Sequence, residues 1–137
     1  SEVNNLSGLG CQMIVSPNTD KDVIKATKEK GMLSFPGVLT PSDCFSAINS
    51  GADALKIFPA FKIGIDGFKA MKAVLPSDVK TYGVGGINEN YFHEWLLAGL
   101  TGFGIGSNLF HPSMNDNDIK TKAKKIVIEY DSWFAQS

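Results

Sequence analysis

Five short β-rich segments recur along the chain at nearly even intervals, and that rhythm limits the possible folds more than any other feature. They are residues 12–16 (QMIVS), 32–35 (MLSF), 54–58 (ALKIF), 80–84 (KTYGV) and 102–106 (GFGIG). Their starts lie about 20 to 26 residues apart, roughly the length of one strand–helix unit. Each reads as a nearly continuous apolar run, as parallel strands covered on both faces do. Helical patterns fill the gaps. Residues 20–30 place Val23, Ile24 and Thr27 inward. Residues 41–49 follow a TPSD start, in which Thr40 can cap and Pro41 suits the first helical position. Residues 65–75 align Ile65, Phe68, Met71 and Leu75, and residues 88–98 begin at a capping Asn with Tyr91, Phe92, Trp95 and Leu96 inward. In the last helix, about 118–134, Ile119, Ala123, Ile126, Val127, Tyr130 and Phe134 share a face. Gly31, Gly51 and Gly99 follow helices, where a left-handed C-cap is wanted.

Strict alternation of strand and helix implies an α/β fold, a parallel sheet with helical cover. Two closures compete. An open doubly wound sheet of five strands would be complete in 137 residues. A (β/α)8 TIM barrel needs at least ~200, so a barrel here would be partial: about five units of the C-terminal part, with the first three missing. The opening residues agree with the second option. Val3, Leu6 and Leu9 run at helical spacing into Gly10, like the last turns of a helix, and no methionine precedes them. The expectation is one incomplete barrel domain over residues 1–137, the alternative being a short helix-first domain that has lost its initiator.

Composition narrows the function classes. Lys plus Arg number 13 against 14 Asp plus Glu, so there is no basic footprint and nucleic acid is not an expected partner. No apolar run approaches the ~18 residues of a membrane span, so no membrane partner is expected. Cys11 and Cys44 are too few for a disulfide framework and read as free, small apolar residues of a cytoplasmic protein. His93 and His111 have no ligand partner at metal spacing, so no metal or other cofactor is expected.

In either architecture chemistry belongs at the C-terminal ends of the strands. VGGIN ends one strand and GIGSNLF the next. Gly85, Gly86 and Gly106 let backbone N–H groups approach an anion closely, and Ser107 adds a hydroxyl. Glycine-rich strand ends are also plain tight turns, but two in successive units at the end of the chain favour phosphate. Lys56 lies between Leu55 and Ile57. Pointed into a closed sheet, its ammonium would lose water and its pKa would fall, and a neutral amine can attack a carbonyl to form a Schiff base. The plainer alternatives are an edge lysine reaching to water, or one paired with a carboxylate. Lys62, Lys69 and Lys72 read as solvated. No carboxylate falls at the C-terminal end of a strand; Glu89 reads as a helix residue, and Asp53 precedes its strand, at the opposite face.

The strings QMIVSPN, PGVLTPSD, ALKIFPA, KAVLPSDVKTYGVGGIN and GFGIGSNLF, in this order and spacing, resemble the 2-keto-3-deoxy-6-phosphosugar-acid aldolases. These are metal-free class I enzymes with a (β/α)8 barrel, usually trimeric. The resemblance covers about the last two thirds of a family member. It implies that Lys56 is the Schiff-base lysine, that Pro17 and Phe58 line the pyruvate end, and that Gly85, Gly86, Gly106 and Ser107 cradle phosphate. Val84, where gluconate-type members tend to have Thr, and the ALKIFP string point to the galactonate type. The implied reaction is reversible cleavage of 2-dehydro-3-deoxy-6-phosphogalactonate, or its gluconate epimer, to pyruvate and glyceraldehyde 3-phosphate. The family's proton-shuttling Glu, with an Arg and a Thr that hold substrate, comes from early strands without counterpart here, so this chain alone is expected to turn over little or nothing. Its open strand edges lead to an expectation of self-association. A non-catalytic phosphosugar-binding half-barrel and a phosphosugar isomerase sharing only the phosphate site stay open as alternatives.

Overall fold

Strand pairing in the computed structural model, which describes residues 2–135, is parallel throughout. After helix α1 (Glu2–Gly8) come β1 (Met13–Val15), α2 (Lys21–Glu29), β2 (Leu33–Phe35), β3 (Gly37–Val38), α3 (Pro41–Asn49), β4 (Leu55–Ile57) and α4 (Ala60–Lys72). Then follow β5 (Thr81–Val84), a 3₁₀ turn (Glu89–Tyr91), α5 (Phe92–Leu97), β6 (Gly102–Gly104) and α6 (Asp116–Phe134). β2 and β3 are one strand station divided at Pro36. The first half pairs with β1 and the second with β4. The Pro36 carbonyl accepts the Lys56 N–H at 2.9 Å, so hydrogen bonding continues across the break.

The order across the wall is therefore β1, β2/β3, β4, β5, β6, the order of the chain itself. A doubly wound sheet reverses its winding at a switch point. Here each unit adds on the same side, as in a barrel wall. The structure thus chooses the barrel arc over the open sheet and contains five consecutive strand stations of it.

Local chemistry explains most element boundaries. Asp20 caps α2 by accepting the N–H groups of Asp22 and Val23. Thr40 and Asp43 form a reciprocal capping box at α3, with Pro41 in the first turn. Gly31, Gly51 and Gly99 all adopt positive φ, as C-cap positions require. α4 begins at Ala60, earlier than the apolar stripe from Ile65 predicts. Gly64, at φ 64° and ψ 174°, joins a preceding turn to the main helix through a kink.

β4 buries Leu55 and Ile57 outward among Cys44, Ala47, Phe68, Met71 and Trp95. The Phe68 and Trp95 rings lie 5.8 Å apart. Phe68 is fully buried, so Phe68→Ala should cost about 3–5 kcal/mol, read as a lower midpoint in urea. A loss below about 1 kcal/mol would show that this cluster is not the core.

Three inward assignments fail. Tyr91 is 51% exposed, because the 3₁₀ turn directs Glu89 into the protein instead. Val127 and Phe134 are also exposed, and no residue of α6 is buried. α6 touches the rest through a narrow stripe, including Tyr130 against the Phe103 ring, so only part of its apolar face finds cover. Lys72 is not freely solvated: its Nζ donates to the Val79 carbonyl at 2.8 Å.

Candidate active site

Because Leu55 and Ile57 face the helices, strand alternation turns Lys56 toward the concave side of the wall. Register places Gly37 beside it on β3 and Tyr82 on β5. Lys56 is half-buried, and its Nζ lies 4.4 Å from the centre of the Phe58 ring. It forms no ion pair with a described residue. Burial pushes its amine below the usual lysine range. Of the arrangements left open for this lysine, the geometry has the half-desolvated amine without a carboxylate. Pro17 is exposed and packs through its backbone: a Cβ on Gly37 would collide with the Pro17 carbonyl. Thr19 Oγ1 donates to the Gly37 carbonyl at 2.8 Å, holding the loop after β1 beside the strand next to Lys56.

At the C-terminal ends of β5 and β6 opens a cavity of about 450 Å³. Phe58, Val84, Gly85, Gly86, Gly106 and Ser107 all line it, while Lys56 and Pro17 do not. Lys56 stands at its margin, against Phe58. Gly85 and Gly86 have φ of 90° and 74°, a region costly for any residue with a Cβ. A Cβ on Gly86 would also lie 2.7 Å from Phe61 Cβ. Gly106 has no such φ. Its carbonyl accepts the N–H groups of Leu109 and Phe110, closing one helical turn. The N–H groups of Gly85, Gly86, Gly106 and Ser107 are used in no hydrogen bond among the described residues. They are donors beside a concave site, suited to the oxygens of an anion.

Behind the cavity sits a carboxylate. Glu89 is only 2% exposed. Its Oε1 accepts from Lys122 Nζ at 3.0 Å and Lys125 Nζ at 2.9 Å, and its Oε2 from Asn108 Nδ2 at 2.9 Å. Burial alone would raise its pKa; Lys125, its own backbone N–H, Asn108 and Lys122 reverse that and hold it far below the usual carboxylate range. Such a group stays ionised and does not shuttle protons near neutrality. Asp53 lies at the other end of β4, where it pairs with Lys28 at 2.7 Å and accepts the Ser34 N–H. Cys44 is buried with its Sγ 3.5 Å from Met71 Sδ and its thiol pushed up to about 11 by burial, as a small core residue.

The sequence model of the family described as Aldolase: KDPG and KHG aldolase matches residues 1–125. The chain belongs to this family. Among KDPG and KHG aldolase relatives, it is 39% identical over 129 residues to the 2-dehydro-3-deoxy-6-phosphogalactonate aldolase of Escherichia coli strain K12, covering 94% of this chain and 63% of that protein. It is 38% identical over 132 residues to the probable enzyme of the same name from Rhizobium meliloti strain 1021, covering 96% and 62%. The chain thus spans less than two thirds of the length of these relatives. A solved native KDPGal structure superposes with a TM-score of 0.94 at 37% identity, over 98% of this chain and 65% of that one. The KDPG aldolase of Legionella pneumophila, solved with pyruvate captured as a covalent carbinolamine, matches with a TM-score of 0.71 at 26% identity, over 93% and 60%.

Within this aldolase family member the sequence reading found six cavity residues and overlooked Glu89 and Asn108. Glu89 is charged and opens a polar helical segment, which resembles a solvated helix start. The one available signal was Asn88 as N-cap, since it fixes where the next side chain is sent.

Proposed function

We propose that this chain carries the imine-forming and phosphate-binding part of a class I aldolase. The substrate is 2-dehydro-3-deoxy-6-phosphogalactonate, with the gluconate epimer second, and the products are pyruvate and glyceraldehyde 3-phosphate. The observation that carries this reading is the half-desolvated Lys56 amine beside a cavity walled by Gly85, Gly86 and Gly106. The 38–39% identity to galactonate-type relatives supports the choice of epimer, as does Val84 in the cavity wall. We propose assembly as a homotrimer from the family resemblance, and a cytoplasmic location from the two free cysteines.

The chemistry is as follows. Neutral Lys56 Nζ attacks the C2 ketone to give a carbinolamine, which loses water to form an imine. Protonated, that imine accepts the electrons of the C3–C4 bond as it breaks, leaving an enamine of pyruvate and releasing glyceraldehyde 3-phosphate. Protonation of the enamine carbon and hydrolysis free pyruvate and regenerate the amine. Removing the C4 hydroxyl proton and protonating the enamine need a general acid–base. Glu89, the buried carboxylate beside the cavity, is ionised and fully engaged, so this chain is expected to make the imine and to cleave the substrate poorly.

Borohydride trapping with pyruvate, followed by peptide mass mapping, tests this. The expected result is one carboxyethyl group on Lys56, with little pyruvate released from the phosphosugar acid. A chain that binds phosphate but labels only surface lysines would be a binding half-barrel. Rapid pyruvate release would place a proton shuttle among residues here assigned none.

A further inference from the structure

Both loops that frame the cavity, one after β5 and one after β6, converge on a single buried carboxylate. We propose that Glu89 is a positioning residue that sets the spacing of the two phosphate-binding loops without touching the substrate. The inference rests on the cavity being the phosphate site.

Glu89 follows directly on the Gly85–Gly86 loop, at the start of the 3₁₀ turn. Its Oε2 holds Asn108, which lies beyond Gly106 and Ser107 on the other loop and lines the same cavity. Its Oε1 holds Lys122 and Lys125, both on α6. Lys125 Nζ also reaches Asn90 Oδ1 at 3.3 Å, so α6 grips the turn at two points. Three separated pieces of chain are thereby joined at one group that solvent barely reaches. Hydrogen bonds to an ionised, buried acceptor are strong and directional. Nothing else in the hydrogen-bond pattern of the described residues joins the side chains of the two loops.

Removing the charge has two opposite consequences. It takes a negative charge away from an anion site, which by itself would tighten phosphate binding. It also weakens the links that hold the loops in register, which would loosen it. Positioning and pure electrostatics therefore predict opposite signs.

Inorganic phosphate titrated into the chain at about 0.1 M salt, followed through the amide resonances of Gly85, Gly86, Gly106 and Ser107, reads that sign. Glu89→Gln is expected to weaken phosphate about tenfold, while pyruvate labelling of Lys56 stays at the wild-type level. Glu89→Asp, which keeps the charge but shortens the reach to Asn108, is expected to weaken it less, where pure electrostatics predicts no change, and serves if Glu89→Gln does not fold. Unchanged or tighter binding in a folded variant overturns the inference. An equal loss of phosphate binding and Lys56 labelling also overturns it, since general destabilisation would then suffice. Wild-type chain that shifts none of the four amides would instead overturn the phosphate assignment itself, and this inference with it.

Discussion

Lys56→Met and Lys56→Arg should each abolish the borohydride-trapped pyruvate adduct and lower aldol cleavage by about a thousandfold or more, measured in whatever form of the protein turns over. Met replaces the unbranched stem without a nucleophile, and Arg keeps the charge but does not lose its proton near neutrality. Burial disfavours the charged amine, so the neutral form appears at lower pH than on a surface lysine. The nucleophile is the deprotonated form, so labelling should rise with pH and reach half its maximum below 10.5, the ordinary lysine value. Stability separates chemistry from fold. The Lys56 side chain donates no hydrogen bond and forms no ion pair among the described residues, so Lys56→Met should change unfolding free energy by less than about 1 kcal/mol. A folded Lys56→Met protein that still traps pyruvate at one site would move the nucleophile elsewhere.

Features encoded in adjacent residues were legible in the sequence. The span of α3 was read to the residue because Thr40, Pro41 and Asp43 mark its start and Gly51 lies just past its end. Gly85 and Gly86 were legible as special positions because positive φ selects glycine. Features set by distant neighbours were not. Whether the wall curls in one direction or reverses depends on which strand pairs with which, and the five apolar segments are too alike to say. The start of α4 escaped because Gly64 reads as a helix breaker, whereas here it joins two helical pieces. The outer face of α6 looks like a core face in sequence, yet Val127 is 55% exposed; periodicity shows that a helix has an apolar side, not what covers it. Glu89 escaped for the same reason in reverse. Its neutralising partners lie more than thirty residues further along, on another helix, so nothing near it announces a buried charge.

Gly86→Ala and Gly106→Ala should behave differently, although the two glycines look equivalent in sequence. At Gly86 the left-handed backbone costs an alanine about 1–2 kcal/mol. Its Cβ would also stand 2.7 Å from Phe61 Cβ, an atom fixed to the backbone of α4. Relief requires moving the first turn of α4, whose Phe61 N–H donates to the Gly85 carbonyl at 3.1 Å. The disturbance thus passes directly to the neighbouring glycine of the cradle. Gly86→Ala should therefore lower both the melting temperature and the affinity for inorganic phosphate, the latter by about tenfold or more. Gly106 has ordinary φ, and a Cβ there meets nothing within 4 Å. Gly106→Ala should leave the melting temperature unchanged. Any loss of phosphate affinity in that variant then has a single cause, a methyl group standing where the ligand comes close to the backbone, and a loss of several-fold is expected. Wild-type affinity in Gly106→Ala would remove this glycine from the cradle and leave the Gly85–Gly86 loop to bind the anion without it.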